Sequence, residues 1–104
     1  MTTMKLIQKR FLKGTREFEI IDDAVYVRIK GLLKEEKLTV GLSMLNPEPV
    51  KNGVELEFFS RTQQEPLLSL FLNTPNAEEF NAFVDALKEK ALAEYNAFAG
   101  VKDE

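Results

Sequence analysis

The apolar residues of this chain change their period partway along. Across residues 14–73 they recur mostly at every second position, and across residues 76–99 at every third or fourth. Side chains alternate across a strand with a period of two, whereas they gather on one face of a helix with a period near 3.6. The order therefore predicts an α+β domain: an antiparallel sheet, either a β-meander or a barrel, followed by one long C-terminal amphipathic helix that covers or closes it. A chain of 104 residues accommodates one such core. The expected division is a basic N-terminal segment over residues 1–13, a single domain over residues 14–100 and a disordered acidic tail over residues 101–104.

The strand signals follow one another closely. Phe18 and Ile20 alternate with Glu17 and Glu19, Asp22-Asp23 suits a tight turn, and Val25, Val27 and Ile29 then alternate with Tyr26, Arg28 and Lys30. So short a connection implies a hairpin, since a parallel crossover needs a dozen residues or more. Leu38, Val40 and Leu42 mark a third strand running toward Met44, which Asn46-Pro47-Glu48-Pro49 stops. Asn52-Gly53 is a turn dipeptide, after which Val54, Leu56 and Phe58 alternate with Glu55 and Glu57. Residues 61–66 read as a polar loop. The dense apolar run over residues 67–72 fits a strand covered on both faces. Residues 4–12 are ambiguous: Met4, Ile7 and Phe11 share a helical face, yet an irregular first strand fits equally, and Gly14 ends either.

The helix is the clearest element. Asn76 with Glu79 three residues on forms a capping-box pattern, with Thr74 as an alternative cap ahead of Pro75. Phe80, Phe83, Val84, Leu87, Ala91, Tyr95 and Phe98 make one stripe, and Gly100 stands where a helix C-terminus favours a left-handed residue. About 24 residues at ~1.5 Å each exceed what a small sheet needs. Tyr95 and Phe98 therefore overshoot the core and are the candidate contacts for a protein partner or a second copy.

This series of strands closed by one helix resembles the pleckstrin-homology-like fold, especially its short bacterial forms. The resemblance covers residues 14–99 and rests on the pattern of elements, without a signature motif. It implies a bent antiparallel barrel with one open end plugged by the C-terminal helix, through Phe80, Phe83, Val84 and Leu87. It also implies seven strands where five are clear, so residues 4–12, 31–33 and 46–51 would have to supply the others. The chain has no tryptophan, the residue often found in the terminal helix of eukaryotic members, so phosphoinositide binding is not carried over. A plain meander with a helix packed across one face is the rival architecture.

Composition narrows the function. The chain contains neither cysteine nor histidine. Disulfide, thiolate and zinc-finger chemistry have no residues to work with, and the usual base near neutral pH is missing. A non-enzymatic binding or scaffold role without cofactor is the first expectation, acting through protein contacts or self-association. A small-molecule or His-independent catalytic role ranks last. Lys5, Lys9, Arg10 and Lys13 precede the first acidic residue, Glu17, and form the candidate contact for an anionic membrane surface. The plainer reading of that run is a solvated face. A net charge of −3 opposes nucleic acid as a partner. Glu17 with Glu19, and Glu55 with Glu57, would make a carboxylate cluster if their strands faced each other, but alternating acid on an exposed strand is the ordinary way to keep a sheet soluble. No apolar run is long enough to span a bilayer, and the expected location is the cytoplasm.

Overall fold

The computed structural model describes residues 4–10 and 14–99, with the side chains of Phe98 and Ala99 excepted. Within them lie seven strands, one 3₁₀ turn and one helix: β1 (Met4–Arg10), β2 (Gly14–Ile21), β3 (Ala24–Lys30), β4 (Glu35–Gly41), the 3₁₀ turn Leu42–Met44, β5 (Val50–Asn52), β6 (Glu55–Phe59), β7 (Pro66–Phe71) and α1 (Ala77–Ala99). The architecture is α+β, as the change of period predicts. Two antiparallel meanders, β1-β2-β3-β4 and β5-β6-β7, enclose the core together with α1. No strand ladder joins the two sheets among the described residues, so they form no closed barrel.

Residues 4–10 are strand, and the reason they also read as helix is Gln8. The inward set is Leu6 and Gln8, both buried, while Ile7 points outward and is exposed. A polar residue at an inward position hides the alternation. In β2, β3 and β4 the expected inward residues Phe18, Ile20, Val25, Val27 and Val40 are buried. The β2–β3 turn falls at Asp22-Asp23, with Asp22 at φ 54.

Two boundaries move. The third strand ends at Gly41 instead of running on toward Met44. Leu42 and Leu45, three residues apart, are both fully buried through the 3₁₀ turn, a spacing that a strand cannot place on one face. The fourth expected strand begins one residue late. Asn52 pairs with Glu55, so Gly53-Val54 is the two-residue loop, Gly53 carries the positive φ of 64 and Val54 is half exposed. Of the segments asked to supply further strands, residues 4–12 contain β1, residues 46–51 overlap β5, and residues 31–33 form only a turn.

Helix α1 begins as the capping pattern predicts. The Asn76 side-chain oxygen accepts from the Glu79 backbone N–H at 2.8 Å, and its amide donates to the Glu79 carboxylate at 2.8 Å. The return contact thus runs between side chains, and Thr74 is not the cap. Phe80, Phe83, Val84, Leu87 and Ala91 are buried, with the Phe83 ring 6.3 Å from Phe18. Burying five such side chains supplies most of the helix's stability, roughly 2 kcal/mol for each large one. Among the described residues no helix is long and apolar enough to cross a membrane. Gly100 and the tail over residues 101–104 lie outside the described residues.

Candidate functional site

The strand register decides which charges meet. On the outer face of the four-stranded sheet, Lys5, Glu19, Tyr26 and Thr39 form one row, Ile7, Glu17, Arg28 and Lys37 the next, and Lys9, Thr15, Lys30 and Glu35 the third. Opposite charges sit across from each other in the first two rows, and a shallow depression of about 420 Å³ runs over them. Arg28 lies 3.1 Å from Glu35 and 3.9 Å from Glu17.

Of the four candidate cations of the N-terminal run, the three that are described, Lys5, Lys9 and Arg10, do not form one patch. Lys5 sits in the first row beside Glu19, and Lys9 in the third, four residues or about 13 Å further along the strand. Arg10 belongs to the opposite face, its guanidinium 5.0 Å from the buried Phe71 ring. Lys13 lies outside the described residues. What the register brings together instead is Lys9 and Lys30, which flank Thr15 at the end of the sheet where β3 turns into β4.

Among the described residues that turn is the most exposed apolar feature. Gly31-Leu32-Leu33-Lys34 connects β3 to β4, closed by the Gly31 N–H donating to the Lys34 carbonyl at 2.9 Å. Leu32 is 80% and Leu33 98% exposed. The hairpin therefore presents two adjacent leucines to solvent between Lys30 and Lys34. Gly14 allows the approach of β2 to this turn: its φ is +88, and a Cβ there would collide with the Lys30 carbonyl oxygen. The resemblance asks residues 31–33 for a strand, and the chain makes a turn there instead. The available signal was a pair of large apolar residues directly after a turn glycine and between lysines, where solvated turns ordinarily carry polar groups.

At the other end of the fold, Tyr95 is engaged by its own chain. The Arg61 guanidinium stacks 3.8 Å from the Tyr95 ring and reaches the Ala91 carbonyl at 3.5 Å, leaving Tyr95 36% exposed. Beside it Leu92 is half exposed. Phe98, the other residue expected beyond the core, has its side chain outside the described residues.

The two glutamate pairs do not face each other. Glu17 and Glu19 occupy the outer face of one sheet, while Glu55, on the other sheet, accepts from Arg16 at 2.8 Å. No group of three or more potential metal ligands occurs among the described residues. Of the aromatic residues out of phase in their strands, Phe71 is buried with Arg16 stacked at 3.9 Å, and Tyr26 is 46% exposed.

Neither protein-family models, nor curated proteins, nor solved structures offer a match to this chain.

Proposed function

We propose that this protein is a non-catalytic binding module that docks peripherally on anionic membrane surfaces through the β3–β4 hairpin. The observation that carries this reading is the exposure of Leu32 and Leu33 between Lys30 and Lys34. An apolar tip ringed by ammonium groups matches the layered chemistry of a bilayer surface: the leucines enter the acyl boundary while the lysines stay among anionic headgroups. Lys9 joins them from β1, and none of Lys9, Lys30 and Lys34 forms an ion pair among the described residues. Glu35, the nearest acid on the same face, is held by Arg28.

The magnitudes suit reversible attachment. Two leucines at roughly 2 kcal/mol each and three cations at about 1 kcal/mol each give an upper-end sum near 7 kcal/mol, equivalent to a Kd of roughly 10 µM. The net charge of −3 places compensating acid elsewhere, much of it on α1 at Glu78, Glu79, Asp85, Glu89 and Glu94. The charge asymmetry orients the hairpin end toward an anionic surface.

Co-sedimentation with phosphatidylserine–phosphatidylcholine vesicles and with phosphatidylcholine alone, at low and moderate salt, tests this. Binding only to the anionic vesicles, weakened by salt and abolished by Leu32→Ser with Leu33→Ser, is the expected result. Binding that ignores both salt and the serine variant would overturn it. A second reading, a protein partner or second copy docking on the end of α1, draws on half-exposed Leu92 beside Tyr95. Concentration-dependent association lost on Leu92→Ser is its test.

A further inference from the structure

The edge of the four-stranded sheet formed by β4 is open, and its hydrogen-bonding phase follows from two contacts. The Leu42 N–H donates to the Asp23 carbonyl and the Gly31 N–H to the Lys34 carbonyl, both at 2.9 Å. Both bonds fall in the register that sets Ala24 against Gly41. Hydrogen-bonded and non-bonded pairs alternate along an antiparallel ladder. Glu36, Leu38 and Val40 thus spend their backbone groups on β3, while Glu35, Lys37, Thr39 and Gly41 direct theirs away from the sheet. Among the described residues β4 has no other strand partner.

Beneath that edge the core is incompletely covered. Leu38 lies on the inner face, opposite buried Val27, yet is 37% exposed. A groove separates it from the β6–β7 hairpin. One depression of about 330 Å³ is lined by Leu38, Leu67 and Glu57 among others, and the next, of about 300 Å³, by Val40, Leu67 and Glu65. Leu67 borders both. Acid borders the groove: Glu57 and Glu65 line the two depressions, Glu36 stands two residues before Leu38 on the same strand face, and none of the three forms an ion pair among the described residues.

We propose that this edge is a docking site for an extended segment of a partner protein that adds to β4 as a further strand. Open backbone groups supply the pairing, and a groove one side chain deep selects every second residue. The segment carries apolar residues that settle over Leu38 and Leu67, and Lys or Arg that meet Glu36, Glu57 and Glu65. Charge separates this occupant from a second copy of the chain, because a β4 from another molecule would bring its own Glu35 and Glu36 to an acidic rim. The site is remote in kind from the leucine hairpin and does not depend on membrane attachment.

A fluorescently labelled peptide of about nine residues, with threonine at every second position and valine and lysine sharing the positions between so that both face the groove, is the probe, with a scrambled peptide and a glutamate-for-lysine peptide as controls. Saturable binding to the first alone is expected, together with slowed hydrogen exchange at the Lys37 and Thr39 amides and little change at Leu38 and Val40, whose amides already bond to β3. Thr39→Pro removes one outward donor at an edge position that tolerates proline, and weakens binding about fivefold to tenfold. Should that variant not fold, Glu57→Lys with Glu65→Lys leaves the backbone intact and abolishes the preference for the basic peptide. Equal binding of all three peptides, or protection that does not alternate along β4, would overturn the proposal. Dimerisation of the protein alone through the same amides would overturn it in favour of self-pairing.

Discussion

The side-chain amide of Gln8 pairs with the backbone of Phe71 as a neighbouring strand would. Its oxygen accepts from the Phe71 N–H at 2.8 Å, and its nitrogen donates to the Phe71 carbonyl at 2.8 Å and to the Thr74 carbonyl at 2.7 Å. Gln8 is fully buried, and through it β1 is fastened to the end of β7, where no backbone ladder joins the sheets among the described residues. Replacing it by Leu strands a buried donor and acceptor of Phe71, each costing about 1–3 kcal/mol. Gln8→Leu is expected to lower unfolding free energy by about 3 kcal/mol in urea titration, despite its greater hydrophobicity. An unchanged midpoint would refute this role.

Arg16 makes a second tie between the sheets. It donates to Glu55 and to the Ser69 carbonyl, both at 2.8 Å, and stacks on Phe71. The ion pair is partly solvated and contributes modestly, but the carbonyl bond and the stacking need a planar guanidinium. Arg16→Ala should cost about 1–2 kcal/mol. Arg16→Lys should recover less than half of it, as read from thermal midpoints.

At Gly14 both the left-handed φ and the nearness of the Lys30 carbonyl exclude a side chain. Gly14→Ala is expected to destabilise by at least about 2 kcal/mol. Gly41→Ala, with open space around the added methyl, serves as the near-neutral comparison.

The helix cap is a local device with a local cost. Asn76→Ala removes the acceptor of the Glu79 N–H and should cost about 1 kcal/mol. Hydrogen exchange should quicken in the first turn of α1, at residues 77–80, and leave the amides around Leu87 protected.

The leucines of the β3–β4 turn contribute no burial to the fold. Leu32→Ser with Leu33→Ser should change stability by less than about 0.5 kcal/mol while reducing retention on a hydrophobic column. A large loss of stability would show that the pair packs against the chain.

Most strands and the helix were legible because burial imposes a period wherever the inward residues are all apolar, as at Phe18 and Ile20, Val25 and Val27, or Phe80, Phe83 and Leu87. The helix start was legible too, since a cap is chemistry between residues three apart. Legibility failed where that link breaks. Gln8 is an inward polar residue, β5 is wholly exposed, and Leu42 with Leu45 belongs to a turn whose spacing no strand shares. Surface neighbourhoods were not legible at all, because neighbours in sequence need not be neighbours on a surface. Alternation sends Lys9 and Arg10 to opposite faces, and register sets Lys9 near Lys30.

The sequence by itself determined that strands come first and one long helix last, the α+β class, the inward stripe of α1 and the absence of histidine and cysteine, since each depends only on residue type and spacing. Tertiary structure alone decided that two sheets meet through Gln8 instead of a ladder, that Leu32 and Leu33 find no cover, and that β4 keeps an open edge beside acid. Those outcomes depend on which segments lie side by side. That is set by the summed packing of the whole chain, and no local pattern of residues carries it.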